Sequence, residues 1–253
     1  ANFPFCTIDP NIGIVDVVDE RLDQLTKLSN SKKKIYTNIT FVDIAGLVKG
    51  ASKGEGLGNK FLSHIREVDA IIHLVRCFES DKITHVNSKI NPVDDLETIK
   101  TEIILSDLDI IQKKLEKSKK KFLGEKEIKI LEDKLKQLND NKEVIANDKD
   151  EEKFLTTLGL LSIKPKIIVC NVDEESLAKG NSFTESVKKN YSEEKVVTIC
   201  ADIEDQIMGL DKNERETFMK EIGLNKTGLN QLIKEGYELL NLDTFFTSGP
   251  EES

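Results

Sequence analysis

The segment Asp43-Ile44-Ala45-Gly46 places a carboxylate and a glycine at the end of an apolar stretch. A strand that delivers Asp43 to its carboxyl end brings this carboxylate near a nucleotide-bound Mg²⁺, directly or through water. Gly46 lacks a Cβ, so its amide can approach the terminal phosphate of a nucleoside triphosphate. An ordinary strand-to-loop turn with a capping Asp is the alternative for this motif alone.

A glycine-rich stretch follows this D-x-x-G motif, with glycines at positions 50, 54, 56 and 58. Such a stretch is expected to be mobile, and movement after a phosphate-sensing glycine is typical of a nucleotide-controlled switch. A dinucleotide-binding G-x-G-x-x-G fingerprint is excluded by the glycine spacing.

A second polar motif, Asn171-Val172-Asp173-Glu174, directly follows an apolar run. Guanine-specific domains carry N-K-x-D at this place, where the final carboxylate accepts two hydrogen bonds from the base. Here Val172 replaces the lysine and Glu174 replaces the aspartate, so most of the guanine preference should be lost. A further apolar run ends at Cys200-Ala201, where a loop amide could approach a base edge. A polar loop without a ligand is the alternative.

Four apolar runs predict the sheet that positions these motifs. They cover residues 40–44, 70–77, 166–170 and 195–200. Near-continuous apolar runs separated by helical patterns indicate buried parallel strands. The predicted architecture is therefore a doubly wound, mostly parallel α/β sheet, with ligands at the carboxyl ends of the strands. A final helix over 229–242 is expected to pack on this sheet.

Residues 94–155 have a different character, with dense Lys, Asp and Glu and no proline. Their apolar residues recur in steps of three and four, at 104, 108, 111 and 115 and again at 128, 131, 135 and 138. With a turn near Gly124, this pattern predicts an antiparallel coiled-coil hairpin inserted into the α/β core. The stretch Lys113–Lys121 holds six lysines, which form either a solvated helix face or a basic tip that meets RNA phosphate.

Composition excludes several classes of protein. The net charge of −9 over 253 residues argues against general nucleic-acid binding, so an RNA contact requires a local patch. No apolar run reaches the ~18–20 residues of a membrane span. The four cysteines lie far apart without a C-x-x-C pair, which favours reduced core thiols in a cytosolic protein.

Long motifs in the chain closely resemble the YchF or Obg-like ATPase family. They lie at residues 2–11, 41–59, 76–79, 171–174 and 240–247. The resemblance covers nearly the whole chain and is weakest in the helical insert and in 175–195. It implies a P-loop NTPase that prefers ATP to GTP, uses Mg²⁺, and works in the cytoplasm in translation or stress regulation. The ribosome, with its large subunit, is the implied partner, and K⁺ is a second candidate cofactor.

The resemblance also assigns residues. Thr7 and Asp43 are expected to hold the metal, and Gly46 to contact the γ-phosphate. Leu47 stands where related GTPases carry a water-orienting glutamine, and an aliphatic side chain cannot polarise water. The family histidine proposed for that role matches His85. The residues expected to border the base are Asn171, Val172, Glu174, Cys200 and Ala201.

The chain also departs from the family pattern. It contains no G-x-x-x-x-G-K-[ST] phosphate loop, so the chain as given is expected to bind nucleotide poorly. The expected organisation is a G-type domain over 1–93 and 156–245, the helical insert over 94–155, and a linker over 246–253 toward a TGS domain. A non-catalytic ribosome- or RNA-docking factor that uses the basic hairpin tip is the alternative. A guanine-specific relative is disfavoured by the missing N-K-x-D.

Overall fold

The fold, taken from a computed structural model, combines a parallel sheet, a small antiparallel sheet and ten helices over the described residues 11–43, 57–80, 89–118 and 124–253. The strands are β1 (Asn11–Asp16), β2 (Asn38–Asp43), β3 (Ile71–Arg76), β4 (Lys166–Asn171) and β5 (Lys195–Ile199). The helices are α1 (Glu20–Leu28), α2 (Leu57–Glu67), α3 (Pro92–Ser118), α4 (Glu125–Asn139), α5 (Lys149–Thr157), α6 (Glu174–Lys179), α7 (Ser182–Asn190), α8 (Ala201–Gly209), α9 (Lys212–Glu221) and α10 (Gly228–Leu239). None of these helices is long and apolar enough to cross a membrane.

Three strands form a parallel sheet in the order β3-β4-β5. Its central strand β4 buries four consecutive residues, Ile167 to Cys170. One face packs in a core with Leu96 of α3, Val187 of α7 and Ile203 of α8. The other face packs against Leu232 and Leu239 of α10, which confirms that the last helix covers the sheet. Helices on both faces make the fold α/β, as the apolar runs predicted.

The strand predicted over residues 40–44 differs from the expectation. The part of it that the structure describes, within β2, pairs antiparallel with β1 instead of joining the parallel sheet. Strand β1 is largely exposed, with Ile12 and Ile14 each 67% accessible, and β2 has exposed and half-buried residues but none that is fully buried. The prediction of a buried parallel strand here was wrong, because an apolar run of this length does not determine the direction of its partner or what covers its faces.

Helices α3 and α4 form the predicted hairpin. Ile104 and Ile111 of α3 share a core with Leu131 and Leu138 of α4, and Leu155 of α5 closes it. Gly124 precedes α4 as its N-cap, while residues 119–123 lie outside the described chain. The apolar periodicity therefore identified the residues that join the two helices.

An ion pair of the buried Lys134 and Glu151 ties α4 to α5. The Nζ atom of Lys134 lies 2.5 Å from Glu151 Oε1 and 3.0 Å from Asp133 Oδ2. The Lys134 side chain is 0% exposed, so removing Glu151 would leave its buried charge paired only with the half-exposed Asp133.

Helix α3 belongs to both cores. Leu96 packs with the sheet residues Val75 and Cys170, whereas Ile111 packs with the hairpin. The predicted boundary at residue 94 therefore falls inside one continuous helix of 27 residues. An α-helix of this length spans ~40 Å and behaves as a stiff connection between the two cores.

The segment predicted as a linker over 246–253 is hydrogen-bonded to the turn after α1. Lys32 and Lys33 donate backbone hydrogen bonds to Pro250 and Glu251, and the Ser31 hydroxyl donates to the Gly249 carbonyl at 2.6 Å. Three of the four cysteines, Cys77, Cys170 and Cys200, are buried free thiols, as expected for a reduced core; Cys6 is outside the described residues.

Candidate nucleotide-binding edge

The carboxyl ends of the three parallel strands lie side by side. In the register of the sheet, Arg76 at the end of β3 pairs with Asn171 at the end of β4, and Asn171 pairs with Ile199 at the end of β5. Loops that leave such an edge commonly form ligand sites in α/β proteins. We call the loops that begin here, residues 77–80, 172–173 and 200–201, the nucleotide edge.

Asn171 joins these loops through its side chain and its backbone. Its Oδ1 atom accepts a hydrogen bond from the Ala201 amide at 3.0 Å, and its carbonyl accepts one from the Cys77 amide at 2.7 Å. The Val172 amide donates to the Ile199 carbonyl at 2.8 Å. The structure thus brings Ala201 from a separate part of the sequence to Asn171 and Val172.

Val172 and Cys200 are buried beneath this edge. Val172 is 2% exposed and Cys200 is 1% exposed, and both belong to the core on the α3 side of the sheet. Burial raises the pKa of the Cys200 thiol, and the negative charges of Asp202 and Glu174 add to that shift. Cys200 is therefore a neutral core thiol, and its backbone is the part available at the edge.

The two carboxylates after Val172 have separate roles. Asp173 accepts a hydrogen bond from the Ser176 amide at 2.9 Å and so caps α6. This commitment satisfies a helix amide that otherwise lacks a partner. Glu174 is the first residue of α6 and is exposed. Glu174 takes the place of the N-K-x-D aspartate in the sequence, but its side chain is one methylene longer.

Asn181 also supports the edge, although the sequence did not point to it. Its Nδ2 atom donates to the Cys77 carbonyl at 2.7 Å and to Ser176 Oγ at 3.1 Å. Its Oδ1 atom accepts from the Thr184 amide at 3.0 Å and caps α7. An Asn before a helical pattern signals a cap, but only the tertiary structure shows its contact with Cys77.

Arg76 organises the loop after β3. Its guanidinium donates to the carbonyls of Phe78 and Ser80, each at 3.1 Å, and lies 4.9 Å from the centre of the Phe78 ring. A planar guanidinium can combine such hydrogen bonds with stacking on an aromatic ring. The loop 77–80 is therefore held at both of its ends.

Asp43 is located elsewhere in the fold. It is the exposed last residue of β2, opposite Asn11 of β1. Thr7, Gly46 and His85 lie outside the described residues. Within the described ranges, no three His, Cys, Asp or Glu side chains converge on one point. Asp43 is thus a single carboxylate, which is compatible with Mg²⁺ sites that combine one or two carboxylates with substrate phosphates.

Comparison with known proteins agrees with this architecture. Residues 1–107 match the model of a family described as 50S ribosome-binding GTPase. The chain is 45% identical to the ribosome-binding ATPase YchF of Bacillus subtilis and 46% identical to that of Escherichia coli O157:H7. Each alignment covers 100% of this chain and 72% of the relative.

A solved structure shows the same fold. The Schizosaccharomyces pombe YchF GTPase superimposes with a TM-score of 0.83 at 32% identity, over 100% of this chain and 71% of that protein. The bacterial relatives are named ATPases, whereas this structure is titled a GTPase. The identity to the relatives, which extends over the whole chain, shows that the chain belongs to the YchF family of P-loop nucleotide hydrolases.

Proposed function

We propose that this chain forms the nucleotide-binding core of a cytoplasmic, ribosome-associated ATPase that acts as a switch in translation or stress regulation. The observation that carries the choice of nucleotide is the arrangement at residues 171–174. The edge keeps the asparagine that joins its loops, but the lysine position is a buried valine. Asp173 caps a helix, and the aspartate position is an exposed glutamate, Glu174. The names of the bacterial relatives support the same choice.

The chemistry of the base explains this preference. Guanine presents N1–H and a 2-amino group, both donors, which need a carboxylate in a fixed position. Adenine presents neither of these donors, so a site without that carboxylate loses affinity for guanine and little for adenine. The Glu174 side chain is exposed, and immobilising it against guanine would cost conformational entropy.

The hydrolytic groups are assigned to residues around the D-x-x-G segment. In the proposal, the Thr7 hydroxyl and the Asp43 carboxylate hold Mg²⁺, and the Gly46 amide donates to the γ-phosphate. His85 orients the attacking water, because Leu47 cannot. When bound, Mg²⁺ supplies charge neutralisation at the β- and γ-phosphates. The exposed carboxylate at the end of β2 is the part of this assignment that lies within the described residues.

Substitution of Asp43 tests this assignment in the whole natural protein. We expect Asp43→Asn to lower Mg²⁺-dependent ATP turnover at least tenfold, equal to about 1.4 kcal/mol of transition-state stabilisation, because the amide carries no charge to bind the metal. Asp16→Asn is the matched control, since Asp16 is the exposed last residue of the paired strand β1, opposite Asn38. Equal turnover in wild type and Asp43→Asn would refute the metal assignment.

A docking factor that does not depend on hydrolysis is the second candidate function. The observation in its favour is the exposure of Lys113 and Lys117 near the described end of α3. Lys113 forms an exposed ion pair with Asp109 at 2.7 Å, which contributes little stability and can be exchanged for a phosphate contact. This role predicts ribosome or RNA association that is independent of the nucleotide and sensitive to salt.

A further inference from the structure

Helix α2 is attached to the middle of α3 at one polar and several apolar contacts. The Nη2 atom of Arg66 donates a hydrogen bond to Ser106 Oγ at 2.8 Å. Ile65, directly before Arg66, and Leu62, one turn earlier in α2, pack in a buried cluster with Ile103 of α3. Since α2 follows the D-x-x-G segment in sequence, these contacts join the segment after Asp43 to the helix that carries the hairpin.

Arg66 also contacts the turn that precedes β4. A Cβ on Gly159 would lie 3.5 Å from Arg66 Cδ, so the arginine stem packs close to this backbone. The Arg66 Nε atom is buried without a hydrogen-bond partner. A buried donor that is left unpaired costs free energy. The position of Arg66 is therefore not the one that best satisfies its own hydrogen-bond donors.

The residue next to Ser106 fixes the same junction from the other side. Asp107 is 0% exposed and accepts hydrogen bonds at 2.8 Å from the amides of Leu161 and Ser162. Its carboxylate also accepts one from the Ser162 hydroxyl at 2.5 Å. Burial raises the pKa of the Asp107 carboxyl, and the nearby positive charge of Arg66 opposes that shift. The junction therefore combines the polar contacts of Arg66 and Asp107 with the apolar cluster around Ile103. Together these contacts hold α2 in one orientation against α3.

The position of this junction along α3 determines what it can transmit. Leu96 lies in the sheet core and Ile111 lies in the hairpin core, and Ser106 is between them. From Leu96 to Ile111 the helix rises ~22 Å. A displacement of α2 against Ser106 therefore acts on a stiff element whose far end carries the hairpin.

We propose that Arg66 couples the nucleotide state of the site to the helical hairpin by linking α2 to α3. This inference rests on the proposed function, in which the segment before α2 contacts the γ-phosphate. Arg66 is a positioning residue in this proposal and acts through its contact with Ser106. By linkage, a nucleotide that shifts α2 changes the hairpin, and a partner bound to the hairpin changes nucleotide affinity by the same factor.

Amide hydrogen exchange of α4 in the whole natural protein tests the coupling without requiring a ribosome. In the wild type, exchange of the α4 amides is expected to differ between the ATP-bound state, held by a slowly hydrolysed ATP analogue with Mg²⁺, and the ADP-bound state. In Arg66→Gln this difference should fall at least threefold, while the Kd for ATP stays within twofold. A variant that merely loosened the fold would raise exchange equally in both states.

Two further variants keep the test decisive. Ser106→Ala removes only the hydroxyl that accepts from Arg66, so it should also reduce the nucleotide-dependent difference, and it decides the outcome if Arg66→Gln does not fold. Arg21→Gln, at an exposed ion pair with Asp19 on α1, should retain the full difference. A wild type without a nucleotide-dependent change in α4, or Arg66 and Ser106 variants that retain it fully, would overturn the coupling. Failure of the wild type to co-sediment with ribosomes would instead overturn the proposed function.

Discussion

At the residue scale, the nucleotide edge is organised by side chains that bind backbone groups of neighbouring loops. Asn171 binds the Ala201 amide, and Asn181 binds the Cys77 carbonyl. These contacts position loop atoms before any ligand arrives, which lowers the entropic cost of binding. Asp173 contributes differently, because its carboxylate is used to begin α6.

His73 gives a residue-scale prediction of pH dependence. Burial, assisted by the charge of Lys166, lowers the pKa of His73 from 6.5 to about 4. Between these two pH values the unfolded chain binds a proton that the folded chain does not. The free energy of unfolding should therefore fall as the pH decreases through this window, by up to ~1.4 kcal/mol per pH unit from this group.

Denaturant unfolding of wild type and His73→Leu at several pH values measures this effect. Between pH 6.5 and 4, the free energy of unfolding of the variant should change less steeply with pH than that of the wild type. The difference should correspond to the uptake of about one proton on unfolding. Identical slopes in the two proteins would show that His73 is protonated in the folded state as readily as in the unfolded chain.

The nucleotide motif could be predicted in part at this scale. The residues Asn171 to Glu174 are contiguous and their departure from N-K-x-D is visible in the sequence. The partnership of Asn171 with Ala201 and that of Asn181 with Cys77 depend on which strands are neighbours in the sheet. Sequence spacing contains no such information, so these contacts required the structure.

At the element scale, prediction succeeded where periodicity identifies one buried face. The three- and four-residue steps in α3 and α4 placed Ile104, Ile111, Leu131 and Leu138 at their shared core. Strand β1 was not predicted, because its apolar residues alternate on a short, exposed segment. Its pairing with β2 explains why the run over 40–44 reads as a strand without being part of the parallel sheet.

Helix α10 provides an element-scale prediction with an internal control. A Cβ on Gly228 would lie 2.7 Å from Ile199 Cγ2 and 3.0 Å from Glu204 Oε1, whereas a Cβ on Gly236 meets nothing within 4 Å. Gly228→Ala should destabilise the protein by ~1–3 kcal/mol through overpacking. Gly236→Ala should stabilise it by ~0.5–1 kcal/mol through helix propensity. Chemical denaturation measures both, and effects of the same sign would contradict the packing of α10.

On the scale of the whole molecule, α3 connects a nucleotide-binding sheet to a charged hairpin. The boundary predicted at residue 94 followed a change in composition, but the helix itself begins at Pro92 and continues to Ser118. The amino-acid composition changes along α3 because the helix leaves the sheet core and enters the hairpin. The helix itself continues without a break through this change. The division into domains therefore remains a prediction, while the continuity of α3 is a property of the fold.

The lysine run provides a prediction for the whole molecule. The double variant Lys113→Glu with Lys117→Glu should weaken ribosome co-sedimentation. The slope of log K against log salt concentration should fall by roughly one unit for each phosphate group that is no longer bound. Basal ATP turnover should stay within twofold of the wild type. Lys149→Glu with Lys153→Glu is the matched control, because it makes the same charge change on the exposed face of α5. Equal losses in both double variants would indicate an effect of net charge and not of a docking site.

The most direct test concerns the preference for ATP over GTP. It is a calorimetric titration of the whole natural protein with each nucleotide in the presence of Mg²⁺. Val172 is buried and Asp173 caps α6, so within residues 171–174 the exposed Glu174 is the carboxylate left to bind guanine. ATP should therefore bind at least several-fold more tightly than GTP. Equal affinities, or tighter binding of GTP, would contradict the account.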